Sequence, residues 1–159
     1  MPRKKTKSLQ RDIKPDRKYK SILVQRLINK SMLDGKKQLS ENNVYEAMEL
    51  AAKSVKNDDV LAVTEQAIKN IQPNLEVRSR RVGGANYQVP YEVKGNRQVH
   101  LTLMWLVSAA RSKKGMPYSK RLATELADAY NNAGIAVKKK EDVHKMAEAN
   151  RAFAHFARY

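Results

Sequence analysis

No cysteine occurs among the 159 residues. Disulfides, thiolate nucleophiles and cysteine-based zinc sites are therefore excluded. Long hydrophobic runs are missing too. The strongest, LMWLV at 103–107, falls far short of the ~20 apolar residues a membrane span needs. The basic start MPRKKTKSLQRDIK is followed by no apolar stretch, so it does not read as a secretory signal. A soluble, intracellular protein with no membrane partner is expected. Histidine is scarce as well: no two of His100, His144 and His155 share the i, i+4 spacing of a helical metal site, and they read as helix-surface or interface residues.

Acidic residues are the other shortage. Asp+Glu number 16 against 32 Lys+Arg, a formal net charge of +16. That much self-repulsion in a chain this small points to a polyanionic partner, with nucleic acid ahead of an anionic membrane or an acidic protein. Catalytic groupings are thin. Asp58-Asp59 stands just before a helical pattern, where capping explains it better than acid–base work. Gly35-Lys36-Lys37 is not a phosphate loop, because Lys30 holds the place of the earlier glycine and no strand precedes it. Ser31, Ser40 and Ser119 have no histidine at a recognisable spacing. The expectation is a protein that is not an enzyme, with no metal, no cofactor and no small-molecule substrate.

What is present is helical periodicity. Residues 1–20 hold nine basic residues, two acidic residues and two prolines without apolar spacing, and read as an extended basic arm. The remainder, 21–159, reads as one helical domain. Leu23, Val24, Leu27 and Ile28 mark a first helix, broken at Leu33-Asp34-Gly35. Val44, Met48, Ala51 and Val55 mark a second. Asn57-Asp58-Asp59 caps a third, with Leu61, Thr64, Ile68 and Ile71, which stops before Pro73. A fourth runs from about Asn96 to Arg111 with Val99, Leu103, Leu106 and Ala110 inward. Leu122, Leu126 and Ala129 mark a fifth. The sixth carries Val143, Met146 or Ala147, Asn150 and Phe153. Trp105 falls in the apolar run and is expected in the core.

One stretch breaks the helical period. EVRSRRVGGANYQVPYEV, 76–93, nearly alternates, and with Leu75 predicts a two-stranded hairpin at about 75–93. Gly83-Gly84 supplies the positive φ of a tight turn. Pro90 cannot donate in a ladder and calls for an open edge. The hairpin's base should pack on helices while its tip projects. The fold expected is mainly α: six helices, one protruding hairpin and a basic arm.

Basic residues gather outside the apolar stripes. They occur in the arm (Arg3, Lys4, Lys5, Lys7, Arg11), at Lys36-Lys37, and in the hairpin (Arg78, Arg80, Arg81). Further groups are Arg97, Arg111 with Lys113-Lys114, and Lys138-Lys139-Lys140. A solvated helix end accounts for any one such group, since cations suit helix C-termini. It accounts poorly for all of them together. Arginine's planar fork suits phosphate, so these residues are the candidate contacts to a nucleic-acid backbone. Tyr87 and Tyr91 suit either base stacking or packing of the hairpin base.

The hairpin, the loop LDGKK and the closing AVKKKEDVHKMAEANRAFAHF together resemble small-subunit ribosomal protein seven of the bacterial and organellar type, over nearly the whole chain. The resemblance implies six helices with an extended hairpin, in a cytoplasmic protein of the small ribosomal subunit. It implies a primary binder of small-subunit ribosomal RNA that nucleates the 3′ major, or head, domain. It implies a hairpin tip (Arg81, Val82, Gly83, Gly84, Ala85) near exit-site tRNA and outgoing mRNA, with small-subunit proteins eleven and nine as neighbours. One departure is Arg17 in PDRKY, where the family commonly has a second proline. The competing reading is a DNA-architectural protein, since basic β-arms also embrace duplexes. The tip Val82-Gly83-Gly84-Ala85 offers little to intercalate.

Overall fold

The computed structural model describes residues 12–158. Six α-helices run α1 Ile22–Ser31, α2 Lys37–Val55, α3 Val60–Ile71, α4 Gly95–Ser112, α5 Tyr118–Tyr130 and α6 Ile135–Ala149. Between α3 and α4 stand strands β1 Leu75–Val82 and β2 Ala85–Glu92, and a closing 3₁₀ segment spans Arg151–Arg158.

The helices meet along the stripes read from the sequence. Val24, Leu27 and Ile28 of α1, Val44 and Met48 of α2, and Ile68 and Ile71 of α3 are fully buried. Leu106 of α4 and Leu122 and Leu126 of α5 meet them, with Trp105 at the margin. Burying each such leucine or isoleucine contributes about 1.5–3 kcal/mol. Helix α5 touches α2, α3, α4 and α6, and packs most extensively on α2 and α3. Asp59 caps α3 as expected, accepting from the Leu61 and Ala62 amides at 3.0 Å each.

The hairpin register runs from Leu75↔Glu92 at the base to Val82↔Ala85 at the tip. Gly83 and Gly84 have φ of +57° and +91°, the positive values that a tight two-residue hairpin turn needs. Two strands leave each outer edge open, which accommodates Pro90. Paired positions place Glu76, Arg78, Arg80, Tyr87, Val89 and Tyr91 on one face. That face turns to the body at its base, where Glu76 and Val89 are buried.

The last helix differs from the sequence reading. The period through Phe153 predicts one continuous helix, but α6 ends at Ala149. The Asn150 side-chain amide donates to the Met146 carbonyl at 2.8 Å, and the chain tightens into the 3₁₀ segment. Phe153 and Phe156 then pack on Tyr87, with ring centroids 5.1 and 5.2 Å away. Of the two alternatives at 146–147, Ala147 is buried and Met146 is exposed.

Candidate nucleic-acid interface

A groove of about 910 Å³ lies between α1 and α4. Its α1 wall is Ile22, Arg26, Asn29 and Lys30, spaced so that they share the helix face away from Val24, Leu27 and Ile28. Its α4 wall is Asn96, Val99, His100 and Leu103, again one face. Asp12 and Ile13 of the entering chain line it as well. The floor is aliphatic, and the rim carries the Asn29 and Asn96 amides, the cations Arg26 and Lys30, and the Asp12 carboxylate. The Arg26 Nε is enclosed without a hydrogen-bond partner among the described residues. Burial, with the nearby charges of Lys30 and Arg97, holds the His100 imidazole below its ordinary pKa. Burial comes first in that shift, and the two neighbouring cations add to it.

Arg97 joins this groove to the hairpin. One α-helical turn from His100, it donates to Glu76 Oε2 from Nε at 3.1 Å and from Nη2 at 3.0 Å. Arg78 pairs with the other oxygen of the same carboxylate, and its guanidinium lies 5.3 Å from the Tyr91 ring centroid. Both arginines remain about half exposed while Glu76 is buried. A single carboxylate therefore anchors two guanidiniums whose outer faces stay open to solvent. The hairpin base and the α1–α4 groove form one basic surface.

The remaining candidates divide by how far their charge is already engaged. Arg80 donates to the Phe156 carbonyl at 2.6 Å, which ties the hairpin to the closing segment. Arg81, one residue on, is exposed near the tip opposite Asn86. The tip residues Gly83, Gly84 and Ala85 are exposed, with Val82 half-buried. Lys36 and Lys114 are exposed on the α1–α2 and α4–α5 connections, and Lys37, exposed at the first position of α2, lies 3.9 Å from the Glu41 carboxylate. Arg111 is exposed yet donates to the Ser31 carbonyl at 3.2 Å, holding the end of α4 to the end of α1. Lys138 and Lys139 are exposed on α6, whereas Lys140 donates to the Asn70 carbonyl at 2.5 Å. Lys113 is the most committed: its ammonium lies 2.9 Å from the fully buried Glu125 and 3.3 Å from Asp128. Arg3, Lys4, Lys5, Lys7 and Arg11 lie outside the described residues.

Arg26, Asn29, Lys30, Asn96 and His100 were not singled out as RNA contacts by sequence reasoning. The phase of α1 alone sets Arg26 and Lys30 opposite its apolar stripe, so that signal was available. Their convergence with α4 was not. His144 is a structural residue, its Nε2 accepting from the Asn74 amide at 3.1 Å. His155 packs on Phe156 with the rings tilted by 43° and their centroids 4.0 Å apart. The described residues hold no cluster of three or more metal-ligating side chains, and no helix among them is long and apolar enough to cross a membrane.

Comparison with known proteins decides the family. The family described as Ribosomal protein S7p/S5e matches residues 2–151. The chain belongs to that family. It is 55% identical to the small ribosomal subunit protein uS7 of Chloroflexus aggregans over 93% of this chain and 94% of the relative. Its identity to the uS7 protein of Dictyoglomus thermophilum is 57%, over 92% of this chain and 93% of the relative. With that of Kosmotoga olearia it shares 51% over 96% and 98%. The family is structural and not enzymatic, in keeping with a surface built from cations, amides and aliphatic floor.

Proposed function

We propose that this chain is a structural protein of the small ribosomal subunit that binds small-subunit ribosomal RNA through the α1–α4 groove and the base of the hairpin. On this reading it nucleates folding of the 3′ major domain. The carrying observation is the Arg97–Glu76–Arg78 arrangement beside His100, which makes one continuous cationic surface from two separate elements. The groove's amides and aliphatic floor suit unpaired nucleotides, whose bases can be splayed out, better than a continuous duplex. Arg26, Lys30, Arg97, Arg78 and Arg81 supply phosphate contacts there, and Lys36, Lys37, Arg111, Lys114, Lys138, Lys139 and the basic arm extend them. The hairpin tip reaches toward exit-site tRNA and mRNA, with small-subunit proteins eleven and nine as neighbours.

Filter binding to head-domain RNA at several salt concentrations tests the reading. With roughly 6–10 phosphates neutralised, affinity should fall by about 10³–10⁵ between 50 and 200 mM salt. Replacing Arg26 and Lys30 by alanine should lower the slope by about 2 units. A flat salt dependence, or equal competition by duplex DNA, would overturn it.

A further inference from the structure

Arg80 and Tyr87 are opposite each other in the hairpin register, so a guanidinium and a ring stand side by side on one face. Both are covered by the same segment. The Phe156 carbonyl accepts from Arg80 Nη1 at 2.6 Å, and the Phe156 ring packs on Tyr87 with centroids 5.2 Å apart. Phe153 brings a second ring to Tyr87, at 5.1 Å. A single residue thus gives the hairpin an oxygen acceptor for its guanidinium and a flat group for its ring.

An unpaired nucleotide offers the same two groups. Its phosphate oxygen suits the arginine fork, and its base presents a flat face to the tyrosine. The phosphate is the better acceptor, because a hydrogen bond between two ionised groups is stronger than one to a neutral carbonyl. The cover, meanwhile, is weakly held. No side chain in residues 151–157 is buried. The segment is a 3₁₀ run of eight residues, where three or four is usual, and its hydrogen-bond geometry is poorer than that of an α-helix. Segments with few buried contacts open at small cost. Arg78 and Arg81 flank Arg80 in β1 and are exposed, so an incoming strand already meets cations beside the covered pair.

We infer that Arg80 and Tyr87 form a further RNA contact, for the phosphate and base of one unpaired nucleotide, which residues 151–156 keep covered in the free protein. The inference rests on reading the hairpin as an RNA-binding element. Phe156 holds the place of the nucleotide until it is displaced. Once uncovered, the pair adds one phosphate and one stacked base to the surface that Arg78, Arg81 and Arg97 present.

The test uses the full chain and head-domain RNA, reading affinity and its salt slope. Phe153→Ala combined with Phe156→Ala removes both covering rings and no charge. It should steepen the slope by about 1 unit, the share of one phosphate, and tighten low-salt binding by about tenfold, as one base stacked on an aromatic ring can. Adding Arg80→Ala should take that unit back, whereas Arg80→Ala alone should change the slope little. Tyr87→Ala uncovers Arg80 from the hairpin side, with the gain in slope but none from stacking. It serves as the test if the phenylalanine pair lowers the melting temperature of the body. Amide exchange in residues 151–157 of the free protein reports the uncovering without RNA, and should quicken in both variants. Quickened exchange with an unchanged slope would sink the inference, because the uncovered arginine would then bind no phosphate. A steeper slope that survives Arg80→Ala would sink it too, since the gain would come from elsewhere. A flat salt dependence in the native protein would instead overturn the underlying reading of the hairpin.

Discussion

Arg97 of α4 donates twice to one oxygen of Glu76 on β1, across 21 residues of sequence, and so fixes the hairpin's angle to the body. Glu76→Ala removes both that contact and the Arg78 pairing. The two guanidiniums are half exposed and can return to water, so the cost is that of lost charged hydrogen bonds, about 1.5–3 kcal/mol, and not that of an orphaned buried charge. Urea unfolding should show that loss. Filter binding should show an undiminished salt slope, because no cation has been removed.

Arg80 and Arg81 should separate cleanly. Arg80 is held by the Phe156 carbonyl, opposite Tyr87 in the register, while Arg81 is exposed opposite Asn86. Arg81→Ala should lower the salt slope for RNA binding by about 1 unit and leave the melting temperature unchanged. Arg80→Ala should leave the slope nearly intact and speed amide exchange in the 3₁₀ segment, which loses its tether to β1.

Local pattern made most of the helical fold legible. Apolar stripes at three- and four-residue spacing located all six helices, and Gly83-Gly84 between alternating strands located the hairpin. Partnerships across long separations were not legible. Nothing near Arg80 in sequence points to Phe156, 76 positions on. Nothing near Lys113 points to Glu125, so a structural lysine and a surface lysine look alike in the run Lys113-Lys114. The end of α6 was missed for a related reason: periodicity continues through Asn150, and the break is set by the docking of Phe153 and Phe156 on Tyr87. The groove was half legible, since one helix face can be phased alone but its facing wall cannot.

Lys113 tests that distinction directly. Its partner Glu125 is fully buried and also accepts from the Ala136 amide at 2.7 Å, holding the start of α6. Removing the ammonium leaves an uncompensated buried carboxylate. Lys113→Ala should therefore cost about 3–5 kcal/mol in thermal or denaturant unfolding. Lys114→Ala, exposed on the same connection, should cost under about 0.5 kcal/mol. Equal melting temperatures for the two variants would remove the structural role assigned to Lys113.

The joint between the hairpin and α6 should respond to pH. His144 accepts the Asn74 amide proton, which only the neutral ring can do. Burial, with Lys140 nearby, holds its pKa below the usual 6.5. A folded-state pKa lowered in this way means that the unfolded chain takes up the proton first as pH falls. The stability from this contact is thus full above about pH 6.5 and is lost as pH falls through the folded value. His100 is shifted in the same direction by burial, Lys30 and Arg97. The difference between the native protein and His144→Gln, which keeps an acceptor but does not titrate, isolates the joint. Melting temperatures between pH 5 and 8 should fall less steeply for the variant.

The tip of the hairpin should be separable from its base. Gly83 and Gly84 both have positive φ, and a Cβ built on either would meet no heavy atom within 4 Å. Replacing both by valine therefore adds no clash, only backbone strain, about 1–2 kcal/mol at each position for a β-branched residue forced into the left-handed region. The turn can relieve that strain by opening, because nothing packs on it. The base cannot follow, since Glu76 and Val89 are buried and Arg97 holds the carboxylate. The double valine variant should keep the melting temperature of the body and nearly all of its affinity for head-domain RNA. Functions proposed for the tip, such as contact with exit-site tRNA in reconstituted subunits, should suffer. Replacing Arg78, Arg81 and Arg97 with alanine should do the reverse, lowering the salt slope by about 2–3 units while the turn stays intact. A double valine variant that bound RNA as poorly as the arginine variant would show that the hairpin acts as one unit, with no division between anchoring base and functional tip.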